Sequence, residues 1–232
     1  MMPEIKELEE LAKLVRYYIL NMTTRAGSGH PTSSLSAADL MVALYFNKLR
    51  FDVKNPQNPN NDRVIFSKGH AAPLLYALWA VAGEISQKEL NTYREFNSPL
   101  EGHPTPRFRF ADVASGSLGQ GLSNGLGMAL AGRLDKLSYT TYVLMGDSEF
   151  AEGSVWEAME VASYYKLGNL VAILDINRLG QSRPTMLEWD LAKYRQRAEA
   201  FGWEVHEVDG HNLEEVCQVF RNLPVASDRP QM

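Results

Sequence analysis

The sequence predicts an α/β fold of three α/β/α layers built on a mainly parallel sheet. Three observations carry that expectation. In the second half, short β-branched runs alternate with segments of helical periodicity, the pattern that βαβ crossovers leave in a sequence. The strand candidates Thr140–Met145 and Asn169–Asp175 are nearly continuous apolar runs, as strands covered by helices on both faces require. A chain of 232 residues, 45% of them hydrophobic, can also close a sizeable core without disulfides or structural metal.

In chain order, Ile5, Leu8, Leu11, Val15, Tyr18, Ile19 and Met22 recur at helical spacing, so an amphipathic helix is expected over Glu4–Thr23. It ends at the turn Gly27-Ser28-Gly29-His30-Pro31, and a second helix follows over Ser36–Asn47. Asn55–Asn61, dense in Pro and Asn, reads as a loop. Arg63–Phe66 is a short strand leading into Ser67-Lys68-Gly69-His70. Helices are expected at Ala72–Ala82 and at Gln87–Phe96, the latter opened by a capping box of Ser86 and Glu89. After a Pro-rich loop containing His103, Gly116–Gly127 joins many glycines to the start of a helical pattern. Strand Thr140–Met145, helix Glu152–Lys166, strand Asn169–Asp175, helix Asp190–Phe201, strand Trp203–Val208 and helix Leu213–Leu223 complete the series.

Composition excludes several functions. The formal net charge is -5 and no basic stripe exists to neutralise phosphates, so nucleic acid is not the expected partner. The single Cys, Cys217, lies in the apolar pattern of the last helix and reads as a core thiol; no Cys/His cluster suggests structural zinc. The longest apolar run, Ala71–Ala82, is broken by Pro73 and falls short of the about 18 residues of a membrane span. The N-terminus is acidic and amphipathic, unlike a secretory signal. A cytoplasmic enzyme or binding protein, with neither nucleic acid nor membrane as partner, fits these features.

In a parallel sheet, ligands bind where loops leave the carboxyl ends of the strands. Two strand ends stand out there: Thr140–Met145 runs into Gly146-Asp147-Ser148-Glu149, and Asn169–Leu174 runs into Asp175-Ile176-Asn177-Arg178-Leu179. Neighbouring strands would bring Asp147 and Asn177 to one edge. Carboxylate, amide oxygen and backbone carbonyl are ligands that Mg²⁺ or Ca²⁺ takes, and nearby backbone N–H groups would favour a diphosphate bridged by the metal. Either residue alone is better explained by a helix cap or a turn.

Together, Gly-Asp followed some thirty residues later by Asn has the spacing that thiamine-diphosphate enzymes use to hold cofactor and cation. The likeness widens. Ser28-Gly29-His30-Pro31, Asp62-Arg63 with Ser67-Lys68-Gly69-His70, Gly102-His103-Pro104, Gly116-Ser117-Leu118-Gly119-Gln120-Gly121, Glu152-Gly153-Ser154-Val155-Trp156-Glu157-Ala158 and Asp175-Ile176-Asn177-Arg178-Leu179-Gly180-Gln181 resemble the transketolase family in order and spacing, most closely its animal-type branch. The resemblance runs from the first helix to Asp209-Gly210-His211.

The resemblance implies the thiamine-diphosphate-binding fold and a set of roles. Asp147, Asn177 and the Leu179 carbonyl would bind Mg²⁺ or Ca²⁺. Gly116, Ser117 and Leu118 would line the cofactor, and Ser33, Lys68, His70, Ser148 and Gln181 would touch it. His30, His70 and His103 would face the reacting sugar, where imidazoles can hydrogen-bond hydroxyls and move protons. Glu152 would lie in an acidic network at a dimer interface, with apolar surface exposed around Gly121–Leu130 and Trp156–Tyr164. His206 and His211 read instead as structural or solvated, and Trp79, Trp156 and Trp203 as core or interface. One departure is local: Ser148 stands where many members have Gly, which matters only if the backbone there takes an angle reserved for glycine.

The implied activity is transfer of a two-carbon ketol unit from a ketose phosphate to an aldose phosphate, a step of the pentose phosphate pathway in carbohydrate metabolism, with the cofactor as electron sink. Residues 1–232 would form the diphosphate-binding domain, short of its last strand. The pyrimidine-binding and C-terminal domains of the family would not be part of it. The chain is then expected to be inactive alone and to work with a pyrimidine-binding domain or subunit, as a homodimer or heterotetramer. Another thiamine-diphosphate subunit of the deoxyxylulose-phosphate synthase kind, a non-catalytic interaction protein and a truncated fragment of the same fold are the alternatives.

Overall fold

A computed structural model describes residues 3–224 and 228–232. The chain divides into two units. Unit 1 comprises residues 1–56, 69–114 and 208–222, and unit 2 comprises residues 57–68, 115–207 and 223–232.

Unit 2 holds the sheet. Strands β1 (Arg63–Phe66), β2 (Thr141–Gly146) and β3 (Leu170–Asp175) are parallel, in the order β1-β2-β3. The register pairs Phe66 with Leu144 and Gly146 with Asp175, so the segments after β2 and β3 leave side by side. Helix α6 (Gln120–Leu134) packs against all three strands, and α7 (Gly153–Tyr164) packs against α6. Gly125 makes the close approach to the sheet possible, because a methyl group there would collide with Val143. Helix α8 (Leu191–Ala200) is capped by Asp190, whose side chain accepts the Lys193 N–H. The α/β class and parallel sheet expected from the sequence are therefore present.

The strand expected over Trp203–Val208 is reduced to a bridge at Glu204. Trp203 is fully buried with its indole N–H donated to the Met159 carbonyl, so this segment is anchored by a side chain more than by a ladder. Residues 230–232 lie between it and β3. Ala172 donates to Gln231 and Gln231 to Leu170, while Glu204 donates to Pro230 and His206 to Met232.

Unit 1 is helical: α1 (Ile5–Ala26), α2 (Pro31–Ser36), α3 (Ala38–Ala43), α4 (Ala72–Val81), α5 (Gln87–Leu90) and α9 (Leu213–Asn222). Leu8, Val15 and Ile19 form the buried stripe of α1, which packs on α4 and α3. The expected second helix starts earlier and is interrupted. Pro31 opens α2 at a position where its missing N–H costs nothing, the chain breaks at Ala37, and α3 runs on into a π-turn over Leu44–Lys48. The helix expected over Gln87–Phe96 keeps its capping box but ends at Leu90, followed by turns that place Arg94 at φ 64. Trp79 stacks on Phe110 at 3.9 Å between centroids, which makes it core, and Cys217 is buried as expected.

Candidate functional site

Unit 1 gathers the three loop histidines. Gly27, at φ 58, terminates α1, and Gly29, at φ 128, turns the chain where a side chain would strike Thr23 and Tyr93. This delivers His30 to the N-terminus of α2. The His30 ring lies 5.3 Å from that of His70 and 6.4 Å from that of His103, centroid to centroid. His30 is exposed and the other two are half-buried. Burial, reinforced by the positive field of His30 and Arg94, holds the His103 imidazole below its ordinary pKa, so it is neutral at pH 7. Ser33 sits half-buried in α2.

Arg94, which carried no sequence signal, ties two of these loops together. Its guanidinium donates to the Ser28 hydroxyl and lies against Gly102, leaving no room there for a side chain, while its backbone N–H donates to the Leu100 carbonyl at 2.9 Å. A second surprise of unit 1 is His211, whose Nδ1 lies 3.0 Å from Asp39; Arg16 grips the same carboxylate with two N–H groups.

Unit 2 gathers the carboxylates. Asp147, just past β2, is 5% exposed and accepts hydrogen bonds from the Ser148 N–H (2.9 Å), the Arg178 N–H (2.6 Å) and the Thr185 hydroxyl (3.2 Å). Burial raises its pKa, and these donors oppose the rise. Asn177 accepts the Leu179 N–H on Oδ1 at 2.9 Å and reaches Asp175 through Nδ2 at 3.4 Å, which aims its oxygen away from that acid. Arg178, at φ 61, makes the turn, and the exposed Leu179 pairs with Pro184 in an antiparallel bridge. Asp147, Ser148, Thr185, Tyr194 and Arg197 line a hollow of about 190 Å³ beside this turn.

Lys68, expected at the cofactor, is buried against an acid. Its ammonium meets Asp175 at 2.5 Å, with the two side chains 1% and 7% exposed. Gly116, Ser117 and Leu118 form an exposed turn ahead of α6, and Gln181 is exposed. Ser148 has φ -62 and ψ -40, ordinary right-handed angles, so serine carries no backbone cost there. Glu152 is exposed at the N-cap of α7. Trp156, Val161 and Tyr164 on α7 are exposed apolar side chains, Tyr164 at 79%. On α6, by contrast, Gly121, Leu122 and Ala129 are buried, so the apolar surface expected there is confined to other positions of the helix.

Among the described residues no group of three or more His, Cys, Asp or Glu is arranged to hold a metal. A site of one carboxylate, one amide and one carbonyl does not require such a group. Its all-oxygen chemistry fits Mg²⁺ or Ca²⁺. The charge balance fits as well: among the described residues of this unit's site, Asp147, Glu149 and Asp175 are buried beside the buried ammonium of Lys68. Glu149 and Asp175, like Arg94 and Thr185, were not singled out by sequence; only contacts between distant segments reveal them.

Comparison with known proteins gives a family. The family described as "Transketolase, thiamine diphosphate binding domain" matches residues 8–232. Human transketolase is 54% identical over 218 residues, covering 94% of this chain and 35% of its own length. The chain thus spans about a third of that relative. An apulose-4-phosphate transketolase subunit of Phocaeicola vulgatus is 39% identical over 229 residues, covering 99% of this chain and 82% of its own length. Among solved structures, the Campylobacter jejuni transketolase superposes with a TM-score of 0.88 at 31% identity, over 99% of this chain and 37% of its own. Leishmania mexicana transketolase gives 0.91 at 26% identity, over 100% and 36%.

Proposed function

The chain belongs to the transketolase family, as its N-terminal thiamine diphosphate-binding domain, and on that premise we propose that it binds thiamine diphosphate through a divalent cation and supplies the diphosphate half of a ketol-transferring site. The observation that carries this reading is the pairing of Gly146 with Asp175, which sets Asp147 and Asn177 on adjacent strand exits. Bound, the cofactor supplies the electron sink that lets the carbon–carbon bond beside a ketose carbonyl break and re-form.

This chain's own residues do the rest. Asp147, Asn177 Oδ1 and the Leu179 carbonyl would hold Mg²⁺ or Ca²⁺, whose two charges answer the excess of buried carboxylates over Lys68. The exposed turn Gly116–Leu118 offers backbone to the cofactor, with Ser148 and Gln181 beside the cation turn. Lys68 acts by fixing Asp175, and Asp175 by orienting the Asn177 amide. His30, His70 and His103 bind sugar hydroxyls and exchange protons at their ring nitrogens; His103, neutral at pH 7, can accept one. Ser33 and Glu152 take the family's cofactor-contact and interface roles.

The pyrimidine half would come from a separate domain or subunit. Both arrangements have a relative: the Phocaeicola vulgatus protein is named as one subunit of its enzyme, and human transketolase extends well beyond the matched third; ketose and aldose phosphates are the proposed substrates. Dimerisation through the exposed aromatic face of α7 accompanies this arrangement. Calorimetric titration of the chain with thiamine diphosphate tests the reading. Binding is expected with Mg²⁺ and not without it, and Asp147→Asn should weaken it about a hundredfold, or about 2.7 kcal/mol. Binding that ignores both the cation and Asp147, or no binding at all, overturns it. Ketol transfer on mixing with a pyrimidine-binding subunit would extend it to activity.

A further inference from the structure

Beyond its share of the buried negative charge, Glu149 has been given no role. Its side chain nevertheless joins three separate stretches of unit 2. The carboxylate is 1% exposed. Oε1 accepts the Ser67 hydroxyl and, at 2.7 Å, the Gly119 N–H; Oε2 accepts the Gly146 N–H at 3.2 Å. Ser67 extends the tie by accepting the Gly121 N–H at 3.1 Å. The stretches so joined are the exit of β1 ahead of Lys68, the glycine turn ahead of α6, and the glycine ahead of Asp147.

The chemistry of this arrangement is specific. The first N–H groups of a helix lack intrahelical partners and attract an anion. At α6 the chain brings its own anion, so Gly119 and Gly121 point their N–H groups inward. The glycines are required: a side chain at Gly121 would strike Ser67, and one at Gly119, where φ is 85, would strike Glu152 and Ser154. What remains turned outward is the exposed backbone of Gly116–Leu118.

We propose that Glu149 is a positioning residue that presets the diphosphate site, by locking the glycine turn, the β1 exit and the Gly146-Asp147 turn into one arrangement before any ligand binds. Ordering these segments beforehand removes that cost from the binding step. The functional half of the proposal rests on the thiamine diphosphate reading; the structural half rests on the hydrogen bonds alone.

Glu149→Gln separates the two. Glutamine keeps the shape but replaces one acceptor oxygen by a donor, so it cannot serve all three donors. In the ligand-free 232-residue chain, the remaining amide oxygen can keep Ser67 and Gly119, so amide exchange at Gly146 should accelerate about tenfold, while the α1 amides of unit 1 stay unchanged. Titration with thiamine diphosphate and Mg²⁺ should show an affinity about tenfold lower than wild type. Glu149→Asp, which keeps both acceptor oxygens but draws them back by one methylene, should likewise accelerate Gly119 and Gly146 and lower the affinity; it decides the matter if Glu149→Gln does not fold. Unchanged glycine exchange in the folded variant overturns the proposal, as does faster exchange with unaltered affinity. A wild-type chain that binds no thiamine diphosphate overturns the family-based reading instead, and the exchange rates still decide whether Glu149 holds the three stretches.

Discussion

Two buried ion pairs set the two units apart. In unit 1, Asp39 receives two N–H groups from Arg16, with the side chains 10% and 30% exposed, and His211 adds a third contact. In unit 2, Lys68 and Asp175 meet with 1% and 7% exposure. Arg16 keeps part of its hydration and Asp39 has a second partner; the ammonium of Lys68 has given up nearly all its water. The same contrast runs through the candidate groups. His30, His70 and His103 of unit 1 are exposed or half-buried, whereas Asp147 and Glu149 of unit 2 are buried past a strand exit and bonded to backbone N–H groups. Where water remains, a partner can be replaced. Where it is excluded, each charge depends on a particular neighbour.

Removing the cations in turn puts the contrast to measurement. Lys68→Met takes the positive charge from beside the buried Asp175 and should cost about 3–5 kcal/mol in denaturant unfolding of unit 2. Pairing it with Asp175→Asn should return part of that loss. Arg16→Met should cost less, about 1–2 kcal/mol, since His211 and nearby water still serve Asp39. Equal costs would break the comparison. The pH dependence follows from Asp39: burial would raise its pKa, but hydrogen bonds from Arg16 and His211 outweigh burial and lower it. A lowered carboxylate contributes stability above its unfolded pKa of about 3.9 that is lost as pH falls through the folded value. In Arg16→Met the folded pKa moves back toward the unfolded one, so this variant, less stable at neutral pH, should lose less further stability on acidification below about pH 4.

The two units also differ in how far the sequence foretold them. The parallel strands of unit 2 were legible because fully covered strands leave continuous apolar runs, and Asp147 and Asn177 because each follows such a run directly. The glycines of Gly116–Gly127 announced the start of the helical pattern that is α6. Hidden from view were Glu149 and the pairing of Lys68 with Asp175, since these join residues 82 and 107 positions apart along the chain. Trp203–Val208 failed as a strand because alternation in the sequence cannot say whether a partner ladder exists; the segment makes one bridge and is held by the Trp203 side chain. In unit 1 the helix ends were misjudged where local signals conflict. Pro31 starts a helix directly after the glycine turn that ends α1, and the capping box at Ser86 opens only a short helix because the chain turns into a left-handed residue at Arg94.

The smallest effect expected is at Arg94, and it asks whether the histidine cluster of unit 1 is as replaceable as its exposure implies. Burial is the first cause of the depressed His103 pKa, followed by the charges of His30 and Arg94. Arg94→Ala removes one of these charges and the link to Ser28, so the His103 titration followed by NMR should move up toward the ordinary value of about 6.5 without reaching it, because burial and His30 remain. A depressed histidine contributes stability above its unfolded pKa that is lost as pH falls through the folded one, so this variant should also lose less stability on acidification from pH 7. Arg94→Lys keeps the positive charge but loses the planar fork that spans Ser28 and Gly102. In that variant the His103 titration should stay low while the His30 and His103 resonances broaden or shift. If lysine raises the titration as much as alanine does, loop placement outweighs charge, and the unit 1 cluster depends on its particular neighbours as closely as the carboxylates of unit 2 do.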